Sequence, residues 1–293
     1  MRALIEFIMR GRPHACGIAL AGYLMPLVSP STVGLVALKK GPIEGSVVAL
    51  WAMLPVLLGW FASDPEAVSA NRLLILVSAA SLFVSVLGAQ VLRLTVSWQW
   101  SLVMLVVVGI LVVATLGLFM PEGVTQLITI FMRLLSVAEV KIDTEMLDQQ
   151  SFVLGLLAWG LVSTAVASLM ISRWCQALVY NPGGFALEFQ LLRLKMSVAQ
   201  GSVVVIALGM AVYGEHALWF QLFSVPLLLA GIALVHHSVN ALQLHLGYLG
   251  LMYLGLTMFS PVFALLLVFL AVIDSHIDLR VKLATLIDSR PPV

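Results

Sequence analysis

Charge is what this chain has least of. Between His216 and Ile273 there is not one Asp, Glu, Lys or Arg. As a single helix rising about 1.5 Å per residue, that stretch would reach roughly 87 Å, near three times the ~30 Å hydrocarbon core of a bilayer. Over the whole 293 residues, charged side chains make up 10% and hydrophobic ones 61%, with a mean hydropathy of +1.10. Soluble domains carry about 25% charged residues, so a soluble class is excluded. The formal net charge of +1 gives no basic face for nucleic acid. Cysteine is scarce too: Cys16 and Cys175 both sit in or beside apolar segments, and read as small core residues rather than a disulfide.

Enzyme signatures are also missing. There is no H-E-x-x-H for zinc, no G-x-S-x-G nucleophile turn and no Gly-rich loop ahead of a Lys. No catalytic residue, metal or cofactor is expected, and an enzyme is not the reading. With no ATPase domain, pumping by nucleotide hydrolysis would need partner subunits. The acidic pair Asp143 and Glu145 reads as solvated loop. The basic flank Arg2, Arg10 and Arg12 precedes an apolar stretch, 13–38, that is longer than a signal-peptide core and lacks a clear A-x-A site. A cleavable signal is therefore not expected.

What is present is a succession of charge-free windows: Pro13–Leu38, Gly45–Ser63, Leu73–Leu92, Leu94–Pro121, Gln149–Ser172, Met196–Gly214 and the long run 216–273. Lipid offers no hydrogen bonds to the backbone, so each window should be helical; runs such as LVMLVVVGILVVA do not alternate as barrel strands would. The expected fold class is all-α, a polytopic transmembrane bundle of about eight or nine helices forming one integral membrane domain over 1–293. Amphipathic stretches at 124–138 (Leu127, Ile130, Phe131, Leu134) and 183–195 (Phe185, Phe189, Leu192, leading to Met196) should lie in the interface, the second after the turn signal Asn181-Pro182-Gly183-Gly184. Trp51, Trp60, Trp98 and Trp100 suit an aromatic belt.

Lys and Arg set the orientation. The segment 173–195, with Arg173, Arg193 and Lys195, belongs in the cytoplasm. So do Arg93 and the tail with Arg280, Lys282 and Arg290. The acidic segment 122–148, the loop with Asp64 and Glu66, and Glu215 belong outside. The window 216–273 then crosses three times, with breaks at His236–Asn240 and Ser260–Pro261. The first window resists the rule: Arg12 before it and Lys39 and Lys40 after it should share one side. Pro26, Pro30 and the Ser-Pro-Ser-Thr run at 29–32 allow two short half-helices that enter and return; a kinked ordinary span is the other solution. Broken helices line binding sites in transporters, which makes Pro26 and Pro30 candidate substrate-site residues.

A second candidate set is His236, Asn240 and Gln243, spaced to share one helix face. They read either as a solute-binding polar stripe or as a hydrated cytoplasmic loop. Glu188 and Arg193 could hold the inner amphipathic segment to the bundle or contact a partner.

Several pieces read together resemble a known family: NPGGF at 181–185, EFQLLRL at 188–194, Asn240 opening a hydrophobic helix, LAVIDSHIDLR at 270–280, IMRGRPHA at 8–15 and LKKGPIEG at 38–45. These resemble the YybS-like family of predicted integral membrane proteins, whose function is unknown and which is thought distantly similar to the S subunits of energy-coupling-factor transporters and to MreD. The resemblance implies a helical bundle that binds a small molecule. S subunits meet their coupling subunit through an alanine-rich face on the first helix; Ala15 and Ala19 are similar to it, which makes them candidate docking residues.

The expectation is a multi-pass protein of a bacterial cytoplasmic (inner) membrane with a cytoplasmic C-terminus. It would bind or carry a small-molecule solute, with the lipid bilayer and other membrane or coupling subunits as partners. The rival expectation is a membrane scaffold that recruits proteins and moves nothing.

Overall fold

A computed structural model describes residues 1–25, 27–61, 68–137 and 150–288. Pro26, Asp64, Glu66, Asp143, Glu145 and Arg290 lie outside the described residues. All regular structure among the described residues is helical. Six helices are long and apolar enough to cross a bilayer, which makes the chain an all-α multi-pass membrane protein. Their outward faces are apolar as well: Leu50 is 57% exposed, Leu111 59% and Leu265 70%, surface that water would penalise and lipid would not. The chain divides into two compact units, Met1–Pro182 with Tyr213–Leu222, and Gly183–Val212 with Phe223–Val293.

The first unit begins with α1 (Arg2–Met9) and α2 (Arg12–Ala21), followed by a 3-10 turn at Gly22–Leu24 and α3 (Val28–Lys40). The window 13–38 is thus interrupted between Ala21 and Val28, with Pro30 inside α3, and neither piece is among the six long helices. Arg12 Nε donates to Glu44 Oε2 at 2.8 Å, so the start of α2 lies beside the end of α3. The chain doubles back. Ser29 Oγ donates to the carbonyl of Ala19, one of the last four carbonyls of α2, which have no partner within their own helix. This bond pins the two limbs together. Ser29→Ala leaves that buried acceptor unpaired and should lower stability by about 1–3 kcal/mol, read as a lower thermal midpoint in detergent.

From there α4 (Pro42–Phe61), α5 (Val68–Thr95), α6 (Trp98–Phe119) and α8 (Gln150–Tyr180) supply the long helices, with α7 (Pro121–Val137) between the last two. Gly41, at φ +104°, makes the turn from α3 to α4; a left-handed residue at that position favours glycine. α3 is surrounded by α4, α5 and α8, and every residue from Ser29 to Leu38 is buried. Ser172 Oγ lies 2.8 Å from the Ser31 carbonyl and 2.6 Å from that of Ser168, tying α8 to α3. Small residues allow the close approaches: a side chain at Gly88 would meet Leu105, and one at Gly109 would meet Val162.

Arg12, Lys39, Lys40 and Arg93 of this unit gather at one end, while Arg72 and Arg133 stand on α5 and α7 at the other. Arg12 binds Glu44, the Arg93 guanidinium lies against Gly41, and Lys39 Nζ sits 3.8 Å from the centre of the Tyr180 ring. At the opposite end, Gln126 Oε1 accepts from Ala70 N at 2.9 Å, so α7 satisfies the first turn of α5. There also α11 (Ala217–Gln221) packs on the start of α8: Trp159 Nε1 donates to Leu218 O at 3.0 Å, and Trp219 Nε1 to Ser151 O at 3.1 Å. The Trp belt is only partly formed, because Trp51 falls midway along α4.

The second unit contains α9 (Gly184–Gln190), α10 (Met196–Val212), α12 (Ser224–Ala241), α13 (Gly247–Met258), α14 (Ser260–Ile277) and α15 (Leu279–Asp288). Gly183, at φ +83°, closes the expected turn and opens α9. The long charge-free run breaks at Phe259, where expected, and again at 242–246, just beyond the expected His236–Asn240. The segment 183–195 is not one amphipathic helix. It stops at Gln190, and residues 191–195 wrap around the α14–α15 corner. Arg193 Nε donates to the Asp274 carbonyl at 3.0 Å and Nη1 to Asp278 Oδ2 at 2.7 Å. Arg280 Nη2 donates to the Leu192 carbonyl at 2.6 Å, and its Nε lies 3.4 Å from Asp274 Oδ2. Asp274 Oδ1 accepts from Leu279 N at 3.0 Å.

Candidate functional site

The break between α2 and α3 does more than reverse the chain. It leaves a cavity of about 250 Å³ at the tip of the hairpin. Tyr23, Met25, Ser29 and Pro30 come from the tip. α4 contributes Ala52 and Val56, α5 contributes Ser78 and Ser81, and α8 contributes Gly160 and Thr164. Pro55 sits inside α4 between its two lining residues, removing the N–H that would bond the Trp51 carbonyl. Irregular backbone at membrane depth is tolerated where it lines a cavity or is buried in protein, and both features flank this one. The volume is at the small end for ligand pockets, which run from about 300 to 1,000 Å³.

The chemistry of the lining is narrow. No Asp, Glu, Lys, Arg or His is among it. Its serine protons are committed: Ser78 Oγ donates to Leu74 O at 2.8 Å, Ser81 Oγ to Ser78 O at 2.7 Å, and Ser29 Oγ to Ala19 O. A hydroxyl has one proton and two lone pairs, so these serines present acceptors to anything in the cavity. The Tyr23 and Thr164 hydroxyls also line the cavity and can donate. A neutral solute with an apolar body and a hydroxyl or amide group fits; an ion would find no countercharge, and a bare charge in such surroundings is costly.

Of the residues singled out in the sequence, Pro30 lines this cavity, and Pro26 lies outside the described residues. His236, Asn240 and Gln243 belong to the second unit and do not converge. His236 Nε2 shares a hydrogen bond of 2.9 Å with the Tyr253 hydroxyl and meets Phe189 edge-on, ring centres 5.6 Å apart. Asn240 Nδ2 donates to Gln190 Oε1 at 3.1 Å, and Gln243 Nε2 to the Asn240 carbonyl at 2.9 Å. α12 ends at Ala241, so Gln243 is off the helix, exposed and at φ +53°. The shared face therefore stops before its third member. Among the described residues no group of His, Cys, Asp or Glu is placed to hold a metal ion.

The docking candidates are also accounted for within the chain. Ala15 and Ala19 are 1% and 0% exposed, because α2 turns this face onto α3 and α4; it is filled from inside rather than offered to a coupling subunit. Arg193 is bound to Asp274 and Asp278, while Glu188 stands on α9.

The serines of α5 escaped the sequence reading. Ser78, Ser81 and Ser85 recur at i, i+3 and i+7 inside an apolar window, a signal that could have marked a polar stripe on one face. Thr164 and Tyr23 carry no such pattern.

No protein-family model matches the chain, and neither does any curated protein or solved structure. The motifs EFQLLRL and LAVIDSHIDLR, read above as a resemblance, do meet in space: Arg193 from the first and Asp274, Asp278 and Arg280 from the second form the charged corner of the second unit.

Proposed function

We propose that this protein binds a small, neutral, largely apolar solute at the tip of the α2–α3 hairpin, as the solute-binding part of a membrane transport system. The observation that carries this reading is the cavity itself: a half-open cleft at the point where the backbone is broken, lined by apolar side chains and hydroxyls and free of charge. Discontinuous helices at membrane depth commonly serve as transporter binding sites. The Ala15–Ala19 face, a docking candidate through the resemblance to S subunits, is filled by the chain itself, so this reading does not rest on a coupling subunit meeting that face.

The topology that accompanies this reading has eight crossings: the six long helices α4, α5, α6, α8, α12 and α14, and two by the shorter apolar helices α10 and α13, the latter together with residues 242–246 and Phe259, with α2–α3 re-entrant from the side that carries the basic cluster. Basic residues favour the cytoplasm, which assigns both termini there and suits a bacterial inner membrane. The family resemblance, YybS-like, belongs to the same proposal and rests on the motifs quoted for it.

The test is a thermal-shift screen of the purified protein in detergent against neutral metabolites and vitamins. A solute held at a hundred times its Kd should stabilise the folded state by about 2.7 kcal/mol. Ser81→Leu, which fills the chamber, should abolish that shift while leaving the midpoint of the unliganded protein near its original value. A stabilising solute whose effect is unchanged in Ser81→Leu would place its site elsewhere and defeat the proposal.

A further inference from the structure

A second cavity of about 260 Å³ adjoins the first. The two share Tyr23, Val56 and Ser78. The second adds Gly59 from α4 and Asn71, Leu74 and Ile75 from α5. Gly59 and Asn71 lie two helical turns, about 10 Å, beyond Ala52 and Ser78 along their helices, towards the end of this unit opposite the basic cluster. The two cavities therefore run in series along the α4–α5 groove, with Tyr23, Val56 and Ser78 at their junction.

We propose that the second cavity is the polar mouth of the same site, that ligand loads through it from the end opposite the basic cluster, and that Tyr23 is the gate between mouth and chamber. The inference rests on the binding reading above and adds to it a direction, a gate and a ligand class. Asn71 makes no side-chain hydrogen bond among the described residues, and a free amide offers two donors and an acceptor. The first cavity offers serine acceptors, the Tyr23 and Thr164 hydroxyls and apolar walls. Arg72, beside Asn71 in sequence, is engaged over the Trp60 ring, 5.0 Å from its centre, and no charged side chain lines either cavity. The ligand class that matches is an uncharged amphiphile, polar end at Asn71 and apolar body against Val56 and Ser81. The basic end offers no comparable way in. There Arg12 is clamped to Glu44, Lys39 lies on Tyr180, and Gly34 lies so close against Ser172 that a methyl group would not fit.

The test uses full-length protein carrying Cys16→Ser and Cys175→Ser, with single cysteines introduced as Asn71→Cys or Ser81→Cys. The reagent is a small membrane-impermeant cationic methanethiosulfonate, applied to spheroplasts or to inverted vesicles. Both positions should react about tenfold faster from the face opposite the basic cluster, since access controls thiol reactivity. Tyr23→Ala should speed Ser81→Cys by about tenfold and leave Asn71→Cys unchanged, whereas Tyr23→Phe, which keeps the ring, should change neither. 1-Octanol should protect both positions, and octyltrimethylammonium neither. Faster reaction of Ser81→Cys from the basic face, or no effect of Tyr23→Ala, would overturn the route and the gate. Equal protection by the two probes would overturn the ligand class. A solute that still fails to stabilise Ser81→Leu while the labelling shows no preferred face would defeat this inference and leave the binding reading standing.

Discussion

Asp274→Leu is expected to destabilise the second unit by about 3–5 kcal/mol, the cost of leaving a buried charge without its partner. Asp274 is 2% exposed and Arg280 9%. Burial pushes the Arg280 guanidinium below its ordinary pKa, and Asp274 pushes it back up. With Asp274 replaced, Arg280 keeps the Leu192 carbonyl and the more distant charge of Asp278, and Leu279 N loses its acceptor. Arg193 is affected less, because it also holds the Asp274 backbone carbonyl and Asp278. The loss should appear as a lower thermal midpoint and as faster tryptic cleavage after Arg280 and Lys282. The decisive comparison is the double variant Asp274→Leu with Arg280→Met, which removes both charges and should regain most of the stability, as apolar replacement of buried pairs commonly does. A single variant as stable as the parent, or a double variant worse than the single, would show that the corner is not held by this pair.

Gly231 should be nearly as intolerant. It faces the backbone of Leu267 where α12 crosses α14, and a Cβ there would overlap the Leu267 carbonyl. Backbone cannot yield as a flexible side chain can, so Gly231→Ala must push the helices apart. An expected loss of about 1–3 kcal/mol follows for the methyl group, with Gly231→Leu failing to accumulate as folded protein. Gly201 in α10 supplies the control, since a side chain there meets nothing within 4 Å. Gly201→Ala should be neutral or stabilise by about 0.5–1 kcal/mol, the helix cost of glycine. Equal thermal midpoints for Gly231→Ala and Gly201→Ala would refute the close crossing.

Which parts of this molecule could be read from residue order follows from the range of the forces involved. Helix formation in lipid is dictated locally, by the absence of water, so charge-free windows became α4, α5, α6 and α8 with ends near those expected. The prolines and serines at 26–32 allowed either a broken first segment or a kinked span, and residue order alone did not choose between them; the break between Ala21 and Val28 does. The stop at Gln190 was not legible, because LLRLK at 191–195 contains no helix breaker. It is imposed from about 80 residues away, by the Asp274–Arg280 corner that residues 191–195 wrap around. Nor could spacing find the cavity, whose walls come from four separate segments and whose polarity rests on hydroxyls scattered among apolar neighbours. The pattern at His236, Asn240 and Gln243 had the right period, but α12 ends before the third residue.

The enclosure of α3 bears on how the protein is made. Synthesis delivers α3 to the membrane before α4 and α5, and well before α8, the three helices that enclose it. Its thirteen residues, with Ser29, Ser31 and Thr32 among them, are too short and too polar to hold a transmembrane position alone. During translation the hairpin must wait near the headgroups, or in the translocation machinery, until residue 180 has emerged. A segment made ahead of all three of its neighbours is therefore among the last to reach its seat, and truncations ending before α8 should leave it accessible to protease.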